Sequence, residues 1–283
     1  MFFCNFAPHF RVSSLSMPAF EINALPRSLA RRVRCVVTVL LLVASGWAGR
    51  VMAASPEGAK GTNDVAARQI LSRFIEVTGG ETTLRKLTNR LSIGSFEAPA
   101  MGFQGTIEVV QSIPRRTAQK LIIANSATLQ MATDGKVAWI EAPGIGVQLM
   151  DGLQRDQFIE ENDLLGLLDY PQRFTNAMVL PPVEIAGVSC LPVTGFNRLG
   201  KKETMYFGKE SGLLVRWDRP KLDPTANWTD TETYFENYQT IDGVKIPFKV
   251  SQKVPADQSF VLIVTSVTHD VAPKPDRFKP PTP

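Results

Sequence analysis

Few residues beyond position 54 have the types and spacing that catalysis requires. His269 is the one histidine of that stretch and Cys190 its one cysteine. A zinc site built from the usual imidazole and thiolate ligands is therefore not expected. His269 ends a β-type alternation, Val264 to His269, and reads as an edge or surface imidazole. Val188-Ser189-Cys190-Leu191 reads as the buried face of a strand, which makes Cys190 a core thiol. The Gly-x-Ser-x-Gly elbow of serine hydrolases does not occur, and Ser95 reads as an ordinary strand residue. Gly144, Gly146 and Gly152 are not followed by the Lys-Ser or Lys-Thr of a phosphate-binding loop. Carboxylates remain: Glu160, Glu161 and Asp163, and Asp230 with Glu232. A glycosidase needs two such groups at a set separation. Runs of acids are far more often solvated faces, so the expectation is a protein that is not an enzyme and uses no cofactor or metal.

Residues 1–54 read as a leader. Arg31, Arg32 and Arg34 precede an apolar run from Cys35 to Ala48, and Val51-Met52-Ala53 offers small or modest residues for cleavage near Ala53-Ala54. The run is shorter than the ~20 residues of a spanning helix, which favours a secretory signal over a membrane anchor. Met17 gives a leader of ordinary length if translation starts there. The leader carries six arginines and one glutamate, so the 25 basic and 26 acidic groups of the remainder leave a net charge of −1. The basic character belongs to the leader, and nucleic acid is not an expected partner. Cys4 and Cys35 also lie in the leader, so no internal disulfide is available to residues 55–283. No cysteine follows the apolar run where a lipoprotein would be acylated, and no transmembrane segment is expected after it. The expected product is periplasmic, with residues 55–283 as one β-rich domain and a Pro-rich tail from Ala272 lying along its surface.

The elements follow from periodicity. Ala66, Ile70, Phe74 and Val77, widened by Ala67, Leu71 and Ile75, place a helix over Asn63–Val77 that stops at Gly79-Gly80. A second helical turn fits Glu81 to Leu87, and a third helix fits Gln154 to Leu168, broken near Gly166 and ended by Tyr170-Pro171. Most of the rest alternates with period two. Asp134-Gly135 and Asp242-Gly243 both read as hairpin turns with positive φ at both central positions. Pro181-Pro182 marks an edge or bulge, and Lys209 to Gly212 a hairpin loop. Ten or eleven strands in hairpin order predict a mainly β protein with some α. A curved antiparallel sheet, an incomplete β-barrel, would have two or three helices covering its concave face. Met101, Phe103, Ile107, Val109, Ile122, Met131, Trp139, Trp217 and Phe235 are candidates for an apolar cavity on that face.

The leading helix ending in Gly-Gly, Asp134-Gly-Lys-x-Ala-Trp139, Tyr206-Phe207, Ser211 to Arg216 and Tyr238 to Pro247 together resemble the outer-membrane lipoprotein-sorting, LolA-like group. The likeness spans most of residues 64–270 and rests on turns and their aromatic partners. It implies helices lying as a lid over an apolar cavity that holds acyl chains, with a lipid or an acylated protein as ligand and an outer-membrane or envelope partner. No motif carries the carriers' ligand residues onto this chain. The function expected is an exported lipid- or lipoprotein-binding protein of the envelope. The alternative is a non-catalytic envelope scaffold with a filled core, and behind both stands a hydrolase using Asp230 or Glu232.

Overall fold

The computed structural model describes residues 60–124, 127–222, 227–255 and 259–281; the leader lies outside them. Fourteen strands form one antiparallel sheet. The first six are β1 Asn89–Ala98, β2 Phe103–Ser112, β3 Arg116–Ile123, β4 Ala127–Thr133, β5 Ala138–Ala142 and β6 Gly146–Met150. The next four are β7 Thr175–Val179, β8 Val183–Ile185, β9 Val188–Phe196 and β10 Lys202–Gly208. β11 Leu214–Leu222, β12 Trp228–Ile241, β13 Val244–Lys253 and β14 Phe260–His269 complete it. The spatial order is β6-β5-β4-β3-β2-β1-β14-β13-β12-β11-β10-β9-β7, with β8 paired to β9 off this path. Two hairpin meanders thus meet where the first strand pairs with the last. β6 and β7 remain edges, so the curved sheet is an incomplete barrel.

Helices α1 Lys60–Thr78, α2 Gly80–Leu84, α3 Gly152–Glu161 and α4 Tyr170–Arg173 cover the concave face. The buried row of α1 is Ala67, Leu71, Phe74 and Thr78, which shares Phe74 with the first row of the expected stripe and elsewhere lies one position on from it. It packs on Phe174, Val193, Met205, Phe207 and Trp217. The helix stops at Gly79, φ 145°, where a Cβ would stand 2.8 Å from the Gly243 carbonyl oxygen. Only glycine allows the helix end to meet the β12–β13 turn so closely. Leu84 and Leu87 fill the middle of the face with Leu164, Val244, Ile246 and Phe248.

Several expected element ends differ, α2 for one closing at Leu84 rather than Leu87, and two have a clear local cause. α3 stops at Glu161 rather than near Gly166. Asn162, which follows it, returns its side-chain amide to the Phe158 carbonyl at 2.8 Å. Tyr170-Pro171 does not end a helix but opens α4, where proline fits because a first-turn N–H has no helical partner.

The turns divide in the same way. Asp242 (φ 50°) and Gly243 (φ 81°) form the expected positive-φ pair. At Asp134-Gly135 only Gly135 has positive φ, and Asp134 Oδ1 accepts from the Lys136 and Val137 amides at 2.9 and 2.8 Å. Those amides hold its carboxyl below the usual carboxylate range although burial pushes the other way.

The C-terminal tail is more than a surface strap. A 3₁₀ turn, Pro275–Phe278, drives Phe278 into a slot on the convex face formed by Val110, Ala118, Ala132 and Trp139. Trp139 Nε1 donates to the Phe278 carbonyl at 3.3 Å, Arg116 lies over the Phe278 ring, and Arg277 pairs with Glu108.

Candidate functional site

Under α1 and α2 the concave face is packed. Under α3 it is not. A cavity of about 360 Å³ lies between α3 and strands β1 to β4, reaching β11, β13 and β14. Its floor follows from strand parity. Phe103, Ile107 and Val109 of β2 face it, and the antiparallel register sets Leu121 opposite Ile107 and Ile123 opposite Gly105. Phe96, Met131, Met150, Phe260 and Leu262 complete the apolar wall.

The roof is polar. Gln154, Gln157, Phe158 and Glu161, at i, i+3, i+4 and i+7, turn one stripe of α3 toward the cavity. This inverts the usual amphipathic pattern, and hydrogen bonds make it tolerable. Gln119 Nε2 donates to Asn162 Oδ1 at 2.6 Å, and Gln111 Nε2 to the Asn162 carbonyl at 2.8 Å. The Leu222 amide donates to Gln157 Oε1 at 3.0 Å. α3 is tied to the sheet largely by amides.

One corner carries charge. Trp217, Arg219 and Lys221 alternate on β11, and the last two converge on Glu161. Lys221 Nζ lies 3.1 Å from Glu161 Oε2 and Arg219 Nη1 lies 3.4 Å from Oε1. The side chains of Glu161, Arg219 and Lys221 are only 16%, 10% and 15% exposed, so solvent screens them weakly. Burial alone would raise the Glu161 carboxyl, but Arg219 and Lys221 outweigh it and hold it below its ordinary value. Burial lowers the Lys221 ammonium to about 8, with Glu161 opposing the shift. Arg219 also stacks 3.9 Å above the Trp217 ring, and its Nε is buried without a hydrogen-bond partner.

No protein-family model matches the sequence, and no curated protein matches it either. Solved structures do match. A DUF1329 family protein from Desulfovibrio piger aligns over 77% of this chain and 97% of its own, with a TM-score of 0.50 at 14% identity. An outer-membrane lipoprotein-sorting protein domain from Vibrio parahaemolyticus aligns over the same shares, with a TM-score of 0.51 at 10% identity. The fold is LolA-like. A LolA superfamily protein from Nitrosomonas europaea aligns over 73% of this chain and 94% of its own, at 12% identity and a TM-score of 0.49.

On this LolA-like sheet the nine cavity candidates separate. Phe103, Ile107, Val109 and Met131 line the cavity together. Met101 sits in the 3₁₀ turn between β1 and β2. Ile122 and Trp139 point to the convex face, Ile122 48% exposed and Trp139 against Phe278. Trp217 and Phe235 belong to the packed region under α1.

The carboxylates separate too. Glu160 pairs with Arg198 and Asp163 with Arg115, away from Glu161. Glu232 accepts from Arg216 Nη2 at 2.7 Å and from the Tyr234 hydroxyl at 2.6 Å, while Asp218 accepts from Arg216 and Tyr206. Asp230 and Glu232 line a more open groove of about 740 Å³ with Lys202 and Lys253, on the sheet surface opposite the cavity. His269 is not a surface group. Its side chain is 2% exposed, and Nδ1 lies 2.9 Å from Asp242 Oδ2. Cys190 is buried in the strand, and burial raises its thiol pKa. Among the described residues no group of three His, Cys, Asp or Glu could hold a metal ion, and no helix is long and apolar enough to cross a membrane.

The sequence reading missed Phe96, Leu121, Ile123, Phe158, Phe260, Leu262 and the polar roof. Strand parity would have supplied Leu121 and Ile123. The roof's signal is the i, i+3, i+4, i+7 row of Gln and Glu on a helix beside an apolar sheet.

Proposed function

We propose that this protein is an exported lipid-binding protein of the cell envelope that holds an acyl chain in the cavity beneath α3. One observation supports this above the rest: an unfilled, largely apolar cavity in a sheet whose remaining concave face is packed. Protein interiors are close-packed and keep few voids larger than a water molecule. The volume of about 360 Å³ falls in the ~300–1,000 Å³ range of small-molecule pockets. The LolA-like fold supports the same reading, since the V. parahaemolyticus domain is described as lipoprotein-sorting. On this reading the protein acts in the periplasm without catalysis. Its ligand is a lipid or the acyl part of a lipoprotein, passed to or from an envelope partner.

Native mass spectrometry of the purified protein, followed by solvent extraction and lipid analysis, tests this. The expected result is an acyl species at near-stoichiometric amount. An apo mass, together with no uptake of a fluorescent fatty acid, would overturn the proposal and favour an envelope scaffold.

A further inference from the structure

Most polar groups on the cavity wall are already spent on one another. Gln111 accepts from Arg90 and donates to the Asn162 carbonyl. Asn162 uses both ends of its amide, accepting from Gln119 and donating to the Phe158 carbonyl. Gln157 accepts from the Leu222 amide and donates to Glu161 at 2.9 Å. Glu161 and Lys221 are the charged residues among those lining the cavity, and they pair with each other. An ionised group inside this space would meet no free counter-charge, and burying it unpaired is costly.

Gln252 is different. It belongs to a concave-face row across four strands, Trp217, Thr233, Gln252 and Phe260, each directly paired with the next. It lines the cavity and is only 2% exposed. Its Nε2 donates to Thr233 Oγ1 at 3.2 Å, while its Oε1 has no hydrogen-bond partner among the described residues. Gln119 of β3 also lines the cavity and keeps its Oε1 free after donating to Asn162. Both open ends are acceptors. Gln119 is half-buried and water can serve it, whereas Gln252 is sealed in the wall. A buried acceptor left unmade is expensive, and a site that hydrogen-bonds its ligand discriminates against analogues lacking the matching group.

Resting on the lipid-binding reading, we propose that Gln252 determines ligand specificity, its Oε1 accepting a hydrogen bond from an uncharged O–H or N–H group that the ligand carries into the cavity. Glu161, Arg219 and Lys221 keep their pairing throughout. Isothermal titration of the full chain with decanol, its isomer nonyl methyl ether and decanoate at neutral pH tests this. Decanol has the donor, the ether has the same atoms without it, and decanoate adds a charge. Decanol is expected to bind about three- to tenfold more tightly than the ether, the worth of one neutral hydrogen bond. Decanoate is expected to bind more weakly than decanol. Gln252→Met, close in length and apolar, should bring alcohol and ether to the same affinity. The wild-type comparison needs no variant, so it holds even where the substitution impairs folding. Equal wild-type affinity for alcohol and ether would overturn the role of Gln252 and leave lipid binding standing. An equal loss for both in Gln252→Met would overturn its role as acceptor. Decanoate binding as tight as decanol would overturn the uncharged group. Failure of all three probes to bind would sink the lipid reading itself.

Discussion

Glu161 is the residue on which the two sides of the cavity depend. It ends α3, yet its partners Arg219 and Lys221 belong to β11. Removing one member of such a buried group strands the others, so Glu161→Gln should cost about 3 kcal/mol at neutral pH, read from urea midpoints. The pH dependence has a definite sign. The carboxyl is held below its ordinary 4.5, so its contribution is present above pH 4.5 and is lost as pH falls through the folded value. The gap between wild type and Glu161→Gln should therefore close in acid. Lys221 acts in the other direction. Its ammonium is lowered from 10.5 to about 8, so its burial is a penalty below pH 8 that is relieved between pH 8 and 10.5.

At this scale the apolar floor was half legible in the sequence. Apolar type selected Ile122 and Trp139 along with Ile107 and Met131, but register excludes them. Ile107 pairs with Leu121, which sends Ile122 to the other face, and Trp139 pairs with Ala132, the neighbour of Met131. The Glu161 corner was not legible, because residues 161 and 219 meet only through the fold.

At the scale of elements, the tail shows what a single anchor contributes. Phe278 is 1% exposed in its slot, with Trp139 beneath it. Phe278→Ala should cost about 3–5 kcal/mol if the tail is part of the cooperative unit. If the tail instead frays by itself, the global midpoint would move little while iodide quenching of tryptophan emission rises. Either way quenching should increase, and unchanged quenching would contradict the packing described. A Pro-rich stretch with one large apolar residue gives no periodicity to read, so the tail's docking was invisible to sequence patterns. The hairpins were legible because their turn residues carry local chemistry: Asp242-Gly243 adopts the positive-φ pair it suggests. Asp134-Gly135 departs from that geometry because Thr133 and Asp134 supply side-chain acceptors for the Gly135, Lys136 and Val137 amides.

For the whole molecule the decisive contact is the pairing of β1 with β14. Gly94 sits on that seam where the register shifts, and Thr265 bulges out to return its hydroxyl to the Ile93 carbonyl at 3.0 Å. A Cβ at Gly94 would lie 2.3 Å from the Ile263 carbonyl oxygen. Gly94→Ala should accordingly destabilise by about 1–3 kcal/mol through forced backbone movement, seen as a fall in Tm. The open antiparallel architecture was legible from hairpin order alone. The order of the strands was not, because no local signal says that the first strand waits for the last.

That waiting has a kinetic meaning. Arg90 finds its partner in His269, so the seam closes a loop spanning nearly the whole described chain. A chain emerging from its N-terminus, from a ribosome or through a membrane pore, can build β1 to β6 as one meander early. The hydrogen-bonding edge of β1 then stands open until residues 260–269 arrive, a template for any stray strand. Folding of this molecule is finished by its last strand.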